Sequence, residues 1–344
     1  MNRPPTRLKD VTVPSSILDE VDVILADLDG VIYRGAGPIE YAVESINALE
    51  PRIRVGYLTN NASRSDSTVA AHLVDLGLRA SASDVVTSPQ AAMTLLAGLV
   101  PEGSTILVVG GEGLTVELER RGFVVTRTAE DSPVAVVQGF DPSVGWLQLA
   151  EASFVLGGAS GADIPWVATN TDWTIPQARG TAPGNGTLVS AVHTAVGRLP
   201  LVAGKPEVAI YDEAFARFGS RRALMIGDRL DTDILGANRA GIPSALVLTG
   251  IDQAKQVLAA VPDQRPTYIL EDLRGLQEPY PETQTVEEGG SVLTIVGSAR
   301  VRRRAHVLTV EAGSGLDLLR AGCAAIWNSG ATIYALDVPP ELYS

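Results

Sequence analysis

The chain has 344 residues, 45 % of them hydrophobic and 19 % charged, with a formal net charge of −13 and one cysteine. This length implies two or three folded domains, and the composition is that of a globular chain rather than a disordered one. The acidic balance argues against nucleic acid or an anionic membrane surface as a partner, since both require a basic stripe. An anionic substrate therefore has to be drawn in by a local positive site. Cys323 has no second cysteine to pair with, so a reducing, cytoplasmic compartment is expected.

In chain order, MNRPPTRLKDVTVP (residues 1–14) reads as a loose leader and not a signal peptide. VDVILADLDGVIYRG (21–35) is an apolar strand that ends on Asp27 and Asp29, followed by Gly30. IRVGYLTNN (53–61) is a second strand, and SDSTVAAHLVDLGL (65–78) is an amphipathic helix. The uncharged stretch 85–101 is too short and too broken by proline to span a bilayer. Further strands are expected in TILVVGG (105–111), VAVVQGF (134–140), WVATN (166–170), ALMIGD (223–228) and SALVLTG (244–250), with a helix over PEVAIYDEAFARFG (206–219). Short Val/Ile/Leu runs alternating with helix-length segments predict an α/β fold with parallel sheets and crossover helices.

After Leu273 the composition changes. LQEPYPETQTVEEGG (276–290) reads as a linker, SVLTIVGSARVRRRAHVLTVEAG (291–313) as two strands, GLDLLRAGCAAIWNSG (315–330) as a helix and ATIYALDV (331–338) as a final strand. The expected division is a core over 1–85 and 200–275, an inserted domain over 86–199, and a small C-terminal module over 276–344. VRRR (301–304) is most simply a charged, exposed strand.

In parallel α/β sheets, ligands sit outside the carboxyl ends of the strands, so polar groups just beyond a strand are candidates for a site. Asp27 alone would read as a helix cap. With Asp29 two residues on, an extended chain would aim both carboxylates to one side, where they repel unless a cation or a shared proton neutralises them. GDRLDTD (227–233) adds Asp228, Asp231 and Asp233 after another buried run. Oxygen-only ligands of this kind suit a hard divalent cation. An EF-hand is excluded by spacing: its glycine position, counted from Asp27, is Ile32, and its closing glutamate, counted from Asp231, is Ile242.

Thr59, Asn60 and Asn61 offer a hydroxyl, two amides and, at an expected helix start, free N–H groups. Lys205 stands between Gly204 and Pro206, with Pro206 suited to the first helical position. Carboxylates, a divalent cation, Lys205 and these donors together make a site for a phosphoryl group. No GxxxxGK(S/T) loop is present, which excludes a P-loop, and the three histidines form no nucleophile–base arrangement. A carboxylate remains as the nucleophile.

DLDGVIYRG, LTNN, GKP and GDRLDTDI resemble, in order, the four motifs of the haloacid dehalogenase superfamily. GFD, ATNTD and PGNG resemble the large α/β cap of its NagD-like, p-nitrophenyl-phosphatase subgroup. The resemblance spans residues 20–275. It implies a Rossmann-like core with a parallel sheet, an inserted α/β cap and a small α+β C-terminal module. It further implies that Asp27 attacks phosphorus and that Asp29 protonates the leaving group and then activates water. Thr59 and Asn60 would bind phosphoryl oxygens, and Lys205 would stabilise the charge. Mg2+ would sit on Asp27, the carbonyl of Asp29 and Asp228, with Asp233 ordering a bound water. An acid at Asp29 favours phosphatase over dehalogenase chemistry.

The segment 168–186, with Asn170 as a substrate contact, is the expected cap face. The whole arrangement resembles actinobacterial phosphatases acting on glycerol 3-phosphate, and a cap-mediated homodimer fits the family. Other small phosphate esters, a phosphotransferase that passes the phosphoryl group to an alcohol, and a non-catalytic metabolite-binding regulator are the alternatives. The C-terminal module faintly resembles a truncated GNAT acetyltransferase.

Overall fold

The computed structural model describes residues 16–158, 161–177 and 179–343, so the leader lies outside the described residues. A six-stranded parallel sheet runs in the order Tyr268–Leu270, Ser244–Val247, Ala223–Gly227, Val23–Ala26, Arg54–Thr59, Val85–Thr87. Val23–Ala26 occupies a central place because every one of its side chains is apolar and buried. Alternate residues pack on opposite faces. Val23, Leu25, Leu58 and Met225 join the helices Ser88–Ala97 and Val208–Phe218, while Ile24, Ala26, Tyr57 and Ile226 join Asp66–Asp75. The register sets Ala26 level with both Ile226 and Tyr57, so Asp27, Thr59 and Asp228 emerge at one edge.

A second, five-stranded parallel sheet has the order Leu201–Val202, Trp166–Ala168, Ala135–Gln138, Thr105–Val109, Val124–Thr126. It lies wholly within the insertion. Val85–Thr87 belongs to the core sheet and Leu201–Val202 to the second sheet. Helix Ser88–Ala97 joins the two units: Ala92 and Leu96 share one apolar cluster with Leu25 of the core and with Ile106 and Leu118 of the insertion.

All seven strands expected from apolar runs are present. Val85–Thr87, Val124–Thr126, Leu201–Val202 and Tyr268–Leu270 are additional, each of two or three residues at or next to a sheet edge, too short to stand out as runs. Helix Asp66–Asp75 starts on Ser65, whose hydroxyl accepts the Thr68 N–H at 3.2 Å. It therefore begins well after Thr59, and the expectation of a helix start at Thr59–Asn61 is corrected. Pro206 also falls outside its helix, Val208–Phe218, because the Glu207 N–H closes a turn onto the Gly204 carbonyl at 2.9 Å.

The C-terminal module departs most from expectation. Thr283–Glu288, placed in a linker, is a strand, and with Ser291–Val296, Ala299–Arg304 and Val307–Ala312 it forms a four-stranded antiparallel meander. Gly289–Gly290, both at positive φ, make the first tight turn. ATIYALDV is not a strand: it holds a 3-10 turn, Ile333–Ala335, and a single bridge from Asp337 to Val307. In VRRR, Arg302 is paired with Glu311 of the neighbouring strand, which accounts for its charge locally. Helix Gly315–Trp327 packs Leu318, Leu319 and Ile326 in one cluster with Leu230, Ile234 and Leu246 of the core. The module thus backs the turn that carries the second acidic motif. No helix among the described residues is long and apolar enough to cross a membrane.

Candidate active site

The site lies beyond the carboxyl edge of the core sheet. Asp27 follows its strand directly, with its backbone N–H donated to Ile226 at 2.8 Å. Asp228 follows Ala223–Gly227, and Asp233 lies on the single π-helical turn Leu230–Ile234. Carboxylate oxygens of Asp27, Asp228 and Asp233 all lie within 4.8 Å of one another. Asp231 is drawn away from this cluster by an ion pair with Arg229 at 2.8 Å. Asp29 is also outside it: the strand stops at Ala26 and the chain turns over Leu28–Tyr33, so the two-residue alternation no longer applies. The Asp29 side chain is exposed at the mouth of the site.

Lys205 enters this cluster from the far side of the insertion. Its ammonium contacts Asp27 Oδ1, lies 2.7 Å from Asp233 Oδ1 and 3.4 Å from the Leu58 carbonyl, and the residue is only 3 % exposed. Burial opposes the charged form, but Asp233 and Asp27 outweigh it and hold the Lys205 pKa above its ordinary value. Burial raises the Asp27 carboxyl well above the usual range; Lys205 pulls it down, while Asp233 and Asp228 push it further up. Asp228 is pushed up to about 7 by burial and by Asp233. Although Asp29 is exposed as a residue, desolvation of its carboxyl raises it against the opposing pull of Lys205, Arg64 and His72.

Three carboxylates against one ammonium leave an excess of buried negative charge. Asp228 Oδ2 accepts the Ile251 N–H at 2.8 Å, but its buried Oδ1 has no hydrogen-bond partner. An unpaired buried carboxylate oxygen costs on the order of 1–3 kcal/mol or more. A hard cation on this all-oxygen set would remove both penalties, and the residues present fit Mg2+.

Two glycines make room for Asp228. A Cβ on Gly250 would lie 1.9 Å from Asp228 Oδ2, and one on Gly30, at φ +90°, would lie 2.3 Å from it. Gly250→Ala is therefore expected to displace Asp228, raise the Mg2+ concentration needed for half-maximal activity by about tenfold or more, and lower the rate. A magnesium titration of the variant checks this. The loop Thr249–Asp252 did not stand out in the sequence, although it follows SALVL at the same sheet edge as the other motifs.

Thr59 is buried, and its hydroxyl oxygen accepts the Asn61 N–H at 3.0 Å, which leaves its proton free to donate. Asn60, expected on phosphoryl oxygens, has its side chain engaged elsewhere. Its Oδ1 accepts the Lys205 N–H at 2.9 Å, and its Nδ2 donates to the Lys205 carbonyl at 3.0 Å and to Asp172. Asn170, expected to touch substrate, is buried: it donates to the Asn60 carbonyl at 2.7 Å and accepts the Asp172 N–H at 3.1 Å. Both amides hold loops together around Lys205. His193 bonds the Arg198 carbonyl at 2.9 Å, a structural contact.

A buried carboxylate set crossed by one lysine at the edge of a parallel sheet suits a divalent cation and a phosphoryl group, and comparison with known proteins identifies its class. The family model described as haloacid dehalogenase-like hydrolase matches residues 24–124, and a second, HAD-hydrolase-like model matches 202–276. The chain is 44 % identical over 324 residues to the D-glycerol 3-phosphate phosphatase of Mycobacterium tuberculosis, covering 92 % of this chain and 88 % of that protein. The crystal structure of the M. tuberculosis glycerol phosphate phosphatase in complex with magnesium superposes with a TM-score of 0.81 at 43 % identity, covering 93 % of this chain and 94 % of that one. An acid sugar phosphatase of Staphylococcus saprophyticus is 36 % identical, covering 72 % of this chain and 94 % of its own length. The chain belongs to the haloacid dehalogenase-like hydrolase family, and its second sheet is the cap domain of that fold. The broad coverage of the mycobacterial protein extends the likeness beyond the core and cap.

Proposed function

We propose that this protein is a Mg2+-dependent phosphomonoester hydrolase of a small phosphorylated metabolite, with glycerol 3-phosphate as the favoured substrate. The observation that carries the chemistry is Lys205, buried between Asp27 and Asp233 beside the unsatisfied oxygen of Asp228. The substrate assignment is supported by likeness to the mycobacterial enzyme.

Asp27 is the nucleophile. One of its oxygens forms a bond to phosphorus as the bond to the leaving alkoxide breaks, giving an aspartyl-phosphate. Asp29 gives its proton to the alkoxide and then takes one from the water that cleaves the acyl-phosphate, releasing phosphate and restoring Asp27. Lys205 holds Asp27 in line and offsets charge on the phosphoryl oxygens, and Thr59 donates its hydroxyl proton to one of them. Asp27, Asp228 and the carbonyl of Asp29 would hold Mg2+, which when bound supplies positive charge against the phosphate dianion. The cap excludes water and contacts the leaving group.

The test is phosphate release across a panel headed by glycerol 3-phosphate, with phosphoglycolate, pyridoxal phosphate, nucleoside monophosphates and sugar phosphates, with and without Mg2+. Metal-dependent release that is fastest for glycerol 3-phosphate is expected. Release from none of them by folded protein would overturn the phosphatase reading and favour a metabolite-binding regulator. Loss of phosphate to an added alcohol would instead make it a phosphotransferase. A cytoplasmic location is consistent with the single, buried Cys323. A homodimer formed through the cap is supported by exposed Trp146, Leu147 and Phe154 on helix Trp146–Gly157, and light scattering tests it.

A further inference from the structure

We propose that Asp172, contributed by the cap, is a positioning residue for Lys205 that acts through the side-chain amide of Asn60; the proposal rests on the catalytic role given to Lys205 above. Asn60 contacts both backbone polar groups of Lys205. Its Oδ1 accepts the Lys205 N–H at 2.9 Å, and its Nδ2 donates to the Lys205 carbonyl at 3.0 Å. The second Nδ2 hydrogen is shared between Asp172 Oδ1 at 3.2 Å and Oδ2 at 3.3 Å. A carboxamide is almost symmetric in shape, and turned over it would set oxygen against the Lys205 carbonyl and nitrogen against its N–H. An ionised carboxylate accepts only, so Asp172 demands the nitrogen end and removes the wrong orientation.

The clamp has no slack. A Cβ on Gly204 would lie 2.5 Å from Asn60 Oδ1, so Asn60 packs directly on the backbone that leads into Lys205. The Asp172 loop is tied to the same place. Asn170 Nδ2 donates to the Asn60 carbonyl at 2.7 Å, the Gly204 N–H donates to the Thr169 carbonyl at 2.7 Å, and Asn185 Nδ2 fixes the Asn170 carbonyl at 2.7 Å. Asp172 forms no ion pair among the described residues, and burial raises its carboxyl above the usual range despite Arg229 and the Asn60 bond. A partly buried acid with no direct ion pair is a poor stabilising device. Its side chain's contact with Asn60, at 3.2 and 3.3 Å, aligns the amide that aligns the lysine. Seating of the cap and alignment of Lys205 are thereby one event.

The test is steady-state cleavage of p-nitrophenyl phosphate at saturating Mg2+, with thermal melts, for wild type, Asp172→Ala, Asp172→Asn, Asn60→Ala and the Asn60→Ala/Asp172→Ala pair. This activated ester needs little protonation of its leaving group, so the rate reports on the nucleophile and Lys205. Asp172→Ala is expected to lower kcat about tenfold with KM within about threefold, the size of one charge-assisted hydrogen bond. Asp172→Asn keeps the volume and an acceptor oxygen but can also turn its NH2 toward Asn60, so it should recover only part of that loss. The double variant should be no slower than Asn60→Ala, because both substitutions break one chain of contacts. A wild-type kcat in Asp172→Ala, or losses that multiply in the pair, would overturn the proposal. Asp172→Ser, too short to reach Asn60, carries the same expectation if the alanine variant melts below the assay temperature. Lys205→Met run alongside separates the two failures: if it stays active, the role of Lys205 is wrong, whatever Asp172 does.

Discussion

Asp27→Asn is expected to abolish phosphate release, with kcat lower by at least about 10⁴-fold, more than about 5 kcal/mol of lost transition-state stabilisation. The substitution preserves shape and volume at the end of a fully buried strand, so the sheet should be undisturbed. Lys205 keeps its 2.7 Å partner Asp233, and Asp228 keeps the Ile251 N–H. What disappears is the anionic oxygen: an amide oxygen next to phosphorus is too weak a nucleophile to displace an alkoxide. A variant that still binds substrate and melts near the wild-type temperature, yet releases no phosphate, separates the chemical role of Asp27 from a structural one. If activity falls only a few-fold, water attacks phosphorus directly and Asp27 serves only to hold charge.

Lys205→Met is expected to cost about 10³-fold in kcat, on the scale of losing one preorganised charge at a transition state. It should also be unstable, for a reason visible in the site. Lys205 is nearly inaccessible and is the only cation in contact with both Asp27 and Asp233 among the described residues. Removing one partner of a buried ion pair leaves uncompensated charge and typically costs about 3–5 kcal/mol. The acids then take up protons, and the variant should gain more melting temperature from added Mg2+ than wild type does, because a cation at the carboxylates now relieves a larger penalty. Equal shifts with Mg2+ in variant and wild type would place the metal away from Asp27.

Much of this site was legible in the sequence because its residues sit at the ends of strongly apolar runs. VILA, RVGYLT and ALMIG each leave their polar groups at one sheet edge, and parallel pairing makes that edge common to them. Asp27, Thr59 and Asp228 are legible in this way, whereas Lys205 follows only the two-residue strand Leu201–Val202 and stands out by its place between Gly204 and Pro206. The part that was not legible depends on contacts between distant segments. Asn60 and Asn170 carry the residue types of a phosphate loop, but the Asn60 amide is satisfied by Lys205 and Asp172, and the Asn170 NH2 by the Asn60 carbonyl, each more than a hundred residues away in sequence. Hydrogen-bond partners across that separation leave no local pattern.

The C-terminal module is hard to read in the sequence for a different reason. TQTVEE is exposed along its whole length, so it has none of the apolar alternation that marks a half-buried strand. The sequence does carry turn chemistry at two of the three breaks: Gly289–Gly290 and Gly297–Ser298 separate strands of equal length, as in successive hairpins, while the third turn, Ala305–His306, has no turn-favouring residue. ATIYALDV failed in the opposite direction, since its β-branched and aromatic content suggests a strand, yet it makes only the single bridge at Asp337.

The proposed mechanism requires Asp27 to become covalently phosphorylated during turnover. The most direct measurement is to quench the enzyme in acid during turnover of glycerol 3-phosphate with Mg2+, reduce with borohydride, and locate the product by peptide mass spectrometry. Borohydride converts an aspartyl-phosphate to homoserine and leaves free carboxylates unchanged. Homoserine at position 27, dependent on substrate and with Asp29, Asp228 and Asp233 intact, is the predicted result. Rapid phosphate release in the same sample with an unmodified Asp27, or with homoserine at another carboxylate, would rule out Asp27 as the nucleophile.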